Sequence, residues 1–227
     1  LIGYSITNTK LLVDSAIDAI QINPTYSTYL LNFNLKDLVI DGGSIGLVGV
    51  NAWSSSKLKL ENVRVLEFTQ NGCRYDDVTN PIFINCTISD NDSDAIVLGR
   101  QSDAVLMIST DCIRNGGIGL VLGEATTGTI QNLPSTKSDG VNILSSSFIS
   151  NVGGGILVKG SQTTGVNLTG NYFERNTDYQ IQIGVNGGST VFNTQITNCF
   201  MNGGNLTNYG IRSYGVTALN IENCSFV

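Results

Sequence analysis

The sequence predicts an all-β protein, a right-handed parallel β-helix with three short strands in each coil of about 25 residues. Three observations predict this fold: a repeat that runs through the chain, an alternation of apolar residues inside each repeat, and a composition that suits tight turns. The chain of 227 residues contains 26 Gly but 3 Pro, and 13% of its residues are charged. Such a composition favours short strands joined by polar turns rather than helices.

The repeat is defined by one apolar anchor residue in each coil. Successive anchors lie 23 to 28 residues apart, except for one step of 36 residues between Cys112 and Phe148. The surplus falls in residues 124–140, which we interpret as a loop inserted into an otherwise regular array. We predict a single domain over residues 1–227 that is a segment of a longer chain, because an uncapped solenoid would expose open strand edges. The anchors are Leu12, Ile40, Val65, Ile88, Cys112, Phe148, Phe173, Phe200 and Phe226.

Apolar residues recur at every second position around each anchor, which is the period of a β-strand. Such pairs stand seven and five residues before the anchor and eight and ten residues after it, as Leu58/Leu60 and Cys73/Tyr75 do around Val65. A third strand contains the anchor itself. Coils stacked about 4.8 Å apart would place like residues upon like residues and bury them in one continuous core.

The stretches "NGGIGLVLGE" (residues 115–124) and "NVGGGILVKG" (residues 151–160) repeat the same turn. Each begins with an asparagine three residues after the anchor, and we predict that these asparagines stack as a ladder of buried, hydrogen-bonded amides. We interpret the glycines that follow as residues that allow the positive φ of a sharp corner. The predicted ladder consists of Asn91, Asn115, Asn151 and Asn176.

Charge and residue usage argue against several classes of partner. The 12 basic and 18 acidic residues give a net charge of −6, which argues against a nucleic-acid partner. No apolar run approaches the ~20 residues that a membrane-spanning helix needs. Five cysteines lack the paired spacing of a metal or redox site, and the chain has no histidine. We therefore predict no metal site and no cofactor, and we interpret the cysteines as buried core residues.

The three-strand coil, the stretches "GIGLVLG" and "GGGILVKG" and the asparagine ladder resemble the pectate-lyase-like right-handed β-helix superfamily. Within it, the chain looks most like the central β-helix of bacteriophage tailspike proteins. This resemblance implies a homotrimer, in a phage tail or outside the cell, that binds a bacterial surface polysaccharide and often cleaves it. Polygalacturonases of this fold use a Gly-His-Gly motif, which a chain without histidine cannot form. The Ca²⁺-binding acidic cluster of pectate lyases has no residue-by-residue match.

Residues at one offset in successive coils become neighbours on the surface of a solenoid. Twelve residues after successive anchors stand Asp77, Arg100 and Glu124, and Trp53, the only tryptophan, lies near the same offset in the preceding coil. Two coils would separate Asp77 from Glu124 by about 9.6 Å, close to the carboxyl separation of inverting glycosidases. We predict Glu124 as the catalytic acid and Asp77 as the base, held ionised by Arg100. Arg100 and Trp53 are predicted to bind the sugar.

Three functions remain open from the sequence. The first is a tailspike-like β-helix that hydrolyses a bacterial surface polysaccharide as an endo-acting depolymerase. The second is a non-catalytic structural or adhesive β-helix, in which the column is a stack of surface ion pairs. The third is a secreted, monomeric polysaccharide lyase. A second column places Glu67 beside Asp90 at the spacing of retaining glycosidases, but neither a loop nor an aromatic residue adjoins it.

Overall fold

The chain folds as a parallel β-solenoid of about eight turns, each of about 25 residues, which confirms the predicted fold class. None of the described residues lies in a helix, and so none of them forms a helix that could cross a membrane. The computed structural model describes residues 9–22, 30–123, 138–159, 163–185, 190–204 and 206–227.

Each full coil contributes one strand to each of three faces. The first face consists of β4 (Asn34–Asp41), β6 (Lys59–Leu66), β8 (Ile82–Ile84), β11 (Leu106–Ile108), β14 (Asp139–Leu144), β17 (Thr163–Thr169), β20 (Val191–Thr197) and β23 (Val216–Glu222). The second face consists of β1 (Lys10–Leu12), the ends of β4 and β6, β9 (Thr87–Ser89), β12 (Asp111–Ile113), β15 (Ser147–Ile149), β18 (Tyr172–Glu174), β21 (Phe200–Asn202) and β24 (Ser225–Phe226). The third face consists of β2 (Ile20–Ile22), β3 (Leu30–Leu31), β5 (Val50–Ser56), β7 (Cys73–Thr79), β10 (Ile96–Leu98), β13 (Ile118–Leu122), β16 (Gly154–Val158), β19 (Tyr179–Ile183) and β22 (Tyr209–Ser213).

The long strands β4 and β6 run through both the first and the second face and join them into one 15-stranded sheet, while the third face is a 9-stranded sheet. The inward-facing residues of the three faces share one buried core. The loop predicted over residues 124–140 lies outside the described residues up to position 137, and β14 begins at Asp139. The extent of the domain therefore stays a prediction.

The strand register confirms most of the predicted stacks and corrects three coils. Leu60 pairs with Phe83 and Phe83 with Met107, as predicted. At the first anchor, however, Leu11 rather than Leu12 pairs with Ile40.

The two other corrections lie in β21 and β5. Met201 rather than Phe200 pairs with Phe173, because Phe200 faces outward and its ring stacks on that of Tyr172 at 5.4 Å. In β5, Ala52 rather than Val50 pairs with Tyr75, because the glycine-rich turn of residues 41–49 is two residues longer than the equivalent turn of the next coil.

The asparagine ladder is present as predicted. Asn91 donates its side-chain amide to Asn115 Oδ1 at 2.8 Å, Asn115 to Asn151 Oδ1 at 2.9 Å, and Asn151 to Asn176 Oδ1 at 3.0 Å. All four residues are buried. Each acceptor oxygen also receives the backbone N–H of the preceding ladder residue, so the ladder satisfies polar groups that would otherwise be unpaired inside the turn.

The predicted role of the glycines in this turn is confirmed in part. Gly154 has a positive φ of 146°, but the left-handed residue of the corner itself precedes each asparagine, as at Arg114 with φ of 54° and Ser150 with φ of 56°. Other glycines allow two coils to approach closely. A Cβ at Gly116 would lie 2.2 Å from the carbonyl oxygen of Asp92 in the neighbouring coil, which no side chain can do without displacing the backbone.

A second corner, between the third and first faces, also has one left-handed residue in each coil, with φ between 52° and 67°. We call this column the left-handed corner. Most of its members are not glycine, although this conformation disfavours residues with a Cβ. Its members are Asn32, Lys57, Asn80, Ala104, Gly140, Gly165, Asn193 and Ala218.

Two buried threonines provide a matched test of polar pairing in the core. Thr110 Oγ1 donates to the carbonyl of Ile108 at 3.2 Å and accepts from the N–H of Cys86, whereas Thr194 Oγ1 has no hydrogen-bond partner. We expect Thr194→Val to leave the free energy of unfolding unchanged or raise it, because an unpaired buried hydroxyl is costly. Thr110→Val should lower the free energy of unfolding by about 1 kcal/mol or more. Urea unfolding of both variants measures this, and a larger loss for Thr194→Val would contradict it.

Candidate functional site

The structure brings Asp77 and Arg100 together where the third face ends. The N–H of Asp77 donates to the carbonyl of Arg100 at 2.6 Å, so the two residues are neighbours in adjacent coils, as predicted. Ser54 Oγ donates to Asp77 Oδ2 at 3.0 Å from the other side. Glu124 lies outside the described residues, and the predicted pairing of Asp77 with Glu124 stays a prediction.

Trp53 lies opposite Asp76 rather than next to the Asp77 position. The longer turn before β5 causes this displacement, because it shifts the register of this coil by two residues. The indole of Trp53 is half-buried and belongs to the outward-facing residues of β5. The structure therefore places the tryptophan beside a carboxylate that the sequence did not single out.

Asp76 is the most unusual polar residue of this region. It is 3% exposed, and neither of its carboxylate oxygens has a hydrogen bond of normal geometry with the described residues. The guanidinium of Arg74 is close, but its Nε lies 3.5 Å from Oδ2, which is long for a hydrogen bond. Burial raises the pKa of Asp76 above the usual range for aspartate, although the charge and side-chain contact of Arg74 and the backbone and charge of Arg100 oppose the shift.

The pKa of Asp77 is also raised, mainly by burial, and the charge of Asp103 adds to the shift while the hydrogen bond from Ser54 opposes it. This differs from the prediction that Arg100 holds Asp77 ionised. The charge of Arg100 lowers the pKa of Asp76 instead.

The sequence did not reveal Asp76 because its column contains no charged residue in the two coils that follow. Gly99 follows Leu98, which pairs with Tyr75, so it lies opposite Asp76 in the next coil, and Gly123 follows in the coil after that. A search for charged neighbours at one offset therefore finds nothing. The available signal was a carboxylate at an outward position of β7, with glycines in the following coils and the tryptophan in the preceding coil.

The second predicted column forms a surface ion pair. Arg114 donates to both carboxylate oxygens of Asp90, at 2.7 and 2.8 Å. Although burial opposes it, these hydrogen bonds lower the pKa of Asp90. Among the described residues, no three His, Cys, Asp or Glu side chains are grouped so that they could hold a metal ion.

A comparison of sequences assigns the chain to a family. Residues 18–133, just over half of the chain, match the model described as "Right handed beta helix region". The chain belongs to this family, whose description agrees with the parallel coils described above. No curated protein matches the sequence.

Three solved structures show the same fold. The chain is similar to the periplasmic alginate epimerase AlgG, with a TM-score of 0.61 and 15% identity over 88% of this chain and 47% of that one. It is also similar to ORF18 of Geobacillus virus E2, with a TM-score of 0.66 and 17% identity over 100% of this chain and 49% of that one. The A-module of the mannuronan C-5 epimerase AlgE4 of Azotobacter vinelandii gives a TM-score of 0.56 and 15% identity over 99% of this chain and 78% of that one. The chain spans about half the length of the first two proteins, and at these identities the likeness shows the fold alone.

Proposed function

We propose that the chain binds a bacterial surface polysaccharide at the Asp76 site, which consists of Trp53, Asp76, Asp77 and Arg100, and hydrolyses it there. The observation that carries this proposal is Asp76, a buried carboxyl group of raised pKa that has no hydrogen bond of normal geometry with the described residues and lies beside the only tryptophan of the chain. An unpaired buried carboxylate is costly to the fold. Perturbed groups of this kind cluster at functional sites.

Each side chain of the site has a chemical role in the proposed hydrolysis. The protonated form of Asp76, which the raised pKa favours, donates its proton to the glycosidic oxygen as that bond breaks. Asp77 accepts a proton from the water whose hydroxyl attacks the anomeric carbon. The long contact between Arg74 and Asp76 can be exchanged for one to the substrate, which opens the carboxyl group to the sugar. Glu124 remains the alternative acid that the sequence predicts.

The similar structures support a polysaccharide as the ligand. Two of them are named as epimerases of alginate or mannuronan, and a third is a virus protein. We propose on this basis, and on the resemblance to tailspikes, that the chain is part of a homotrimeric phage-tail or extracellular protein. Light scattering of the full-length protein tests the assembly, and a monomeric mass would contradict the homotrimer.

The function itself is tested by incubating the full-length protein with isolated bacterial surface polysaccharides and measuring new reducing ends. We expect shorter chains with saturated ends, whereas an unsaturated product would indicate a lyase. Asp76→Asn and Glu124→Gln then identify the acid, since the acid variant should show the larger loss. Full activity in both of these variants and in Asp77→Asn would contradict the proposed site.

Replacement of Trp53 by Ala should weaken polysaccharide binding about tenfold, because a sugar ring that stacks on an aromatic face contributes about 1.4 kcal/mol. The turnover rate at saturating polysaccharide should change less than the affinity. Phe200→Ala is the matched control, since Phe200 is also a half-buried outward aromatic residue but lies on the second face. Calorimetry of both variants measures the effect, and equal losses would show that Trp53 acts through folding alone.

A further inference from the structure

A groove at the left-handed corner lies in the last coils, away from the Asp76 site. It has a volume of about 470 Å³ and is open along one side. Its walls come from β17, β20 and β23 of the first face. It is lined by Gly165, Val166, Asn167, Asn193, Thr194, Gln195, Ala218, Leu219 and Asn220.

We propose that this groove binds a linear stretch of neutral or N-acetylated sugar residues that runs across the coils. The first reason is a row of carboxamides at matching positions. Asn142 pairs with Asn167, Asn167 with Gln195 and Gln195 with Asn220 in the strand register, so their side chains recur about every 4.8 Å along the groove. Each carboxamide offers two donors and an acceptor, which suits sugar hydroxyl and acetamido groups.

Part of this hydrogen-bonding capacity is unused within the chain. Gln195 is exposed, and its side chain makes no hydrogen bond with the described residues. Its carboxamide is therefore available to the hydroxyl or acetamido groups of a bound sugar.

The lack of charged residues in the lining indicates the class of sugar that the groove would bind. None of the nine lining residues is charged. Carboxylated sugars are bound through arginine or lysine, which form charge-assisted hydrogen bonds with the carboxylate. A groove of amides, hydroxyls and apolar side chains therefore favours neutral or N-acetylated sugars over uronates.

The groove and the Asp76 site lie along the same corner of the solenoid. Asn80 follows Asp77 by three residues and belongs to the left-handed corner, as does Gly165 in the groove wall. Three coils separate Asn80 from Gly165, or about 14 Å. A polysaccharide that lies along the corner reaches both places, so the groove extends the binding surface of the cleavage site. This last step rests on the proposed function.

The experiment compares binding of the full chain to an array of neutral, N-acetylated and uronate-containing oligosaccharides. The test variant is Asn167→Ala/Gln195→Ala, and the control is Gln70→Ala, an exposed glutamine in a turn outside the groove. We expect the wild type and the control to bind neutral or N-acetylated glycans, and the double variant to bind them about tenfold more weakly, because two amide contacts are lost. Equal binding by the double variant, binding confined to uronates, or no binding to any glycan would overturn the proposal.

Two further variants separate this inference from the proposed function. If Trp53→Ala and Asp76→Asn impair cleavage while the double variant binds normally, the Asp76 site stands and the groove proposal fails. If the double variant loses affinity while Asp76→Asn cleaves normally, the groove stands and the proposed catalytic role of Asp76 fails.

Discussion

Replacement of Asp76 by Asn is expected to lower the turnover of polysaccharide cleavage by about 10²–10⁴-fold, which is the usual contribution of a general acid. Asparagine keeps the shape of the side chain but cannot donate the proton. In the wild type, cleavage should fall as the pH rises through the raised pKa of Asp76, because the acid form is lost. Initial rates of reducing-end release across a range of pH measure both effects. A variant with the same rate and pH profile as the wild type would exclude Asp76 as the acid.

The same variant has a predictable effect on stability that does not depend on any substrate. Burial raises the folded-state pKa of Asp76 above its unfolded value, so its contribution to stability is greatest below the unfolded pKa and is lost as the pH rises through the folded pKa. At pH 7 the carboxyl group is ionised in the unfolded chain, and burial opposes that charge in the folded state, so Asp76 destabilises the fold. We therefore expect Asp76→Asn to be more stable than the wild type at neutral pH and to lose this advantage below a pH of about 4. Urea unfolding at both pH values tests this sign.

Replacement of Asn115 by Ala is expected to lower the free energy of unfolding by about 3–5 kcal/mol, since several buried polar groups lose their partners together. Asn115 Oδ1 accepts the side-chain amide and the backbone N–H of Asn91 at 2.8 and 3.2 Å. Its own amide donates to Asn151 Oδ1 and to the carbonyl of Ile88. Alanine removes all four hydrogen bonds inside a turn that water does not reach.

The matched control for Asn115 is Asn142→Ala on the outer surface of the first face. Asn142 also takes part in a row of amides, but its hydrogen bond to Asn167 is 3.4 Å long and accessible to solvent. This control should change the free energy of unfolding by no more than about 0.5 kcal/mol. Similar losses in the two variants would mean that the buried ladder contributes little beyond local packing.

The sequence by itself determined the fold class and most of the inward-facing residues. Alternation with a period of two is a property of each strand, and a repeat of about 25 residues identifies stacked coils without any knowledge of their contacts. The stack of Leu60, Phe83 and Met107 and the ladder from Asn91 to Asn176 were predicted for this reason. The stack and the ladder both depend on residue type and spacing, which can be read from the sequence.

The tertiary structure decided the register between coils and the properties of the site. The turn of residues 41–49 is two residues longer than its neighbour, so Trp53, thirteen residues after its anchor, lies opposite Asp76, which is eleven residues after its own anchor. An offset in the sequence only counts residues from the anchor. Which residues of two coils lie opposite each other depends on the length of the turn before each strand. The raised pKa of Asp76 and its unpaired oxygens arise from burial by residues of other coils, and no local pattern encodes them. The chemistry of the site therefore depends on contacts between coils, whereas the sequence pattern determines that the coils stack.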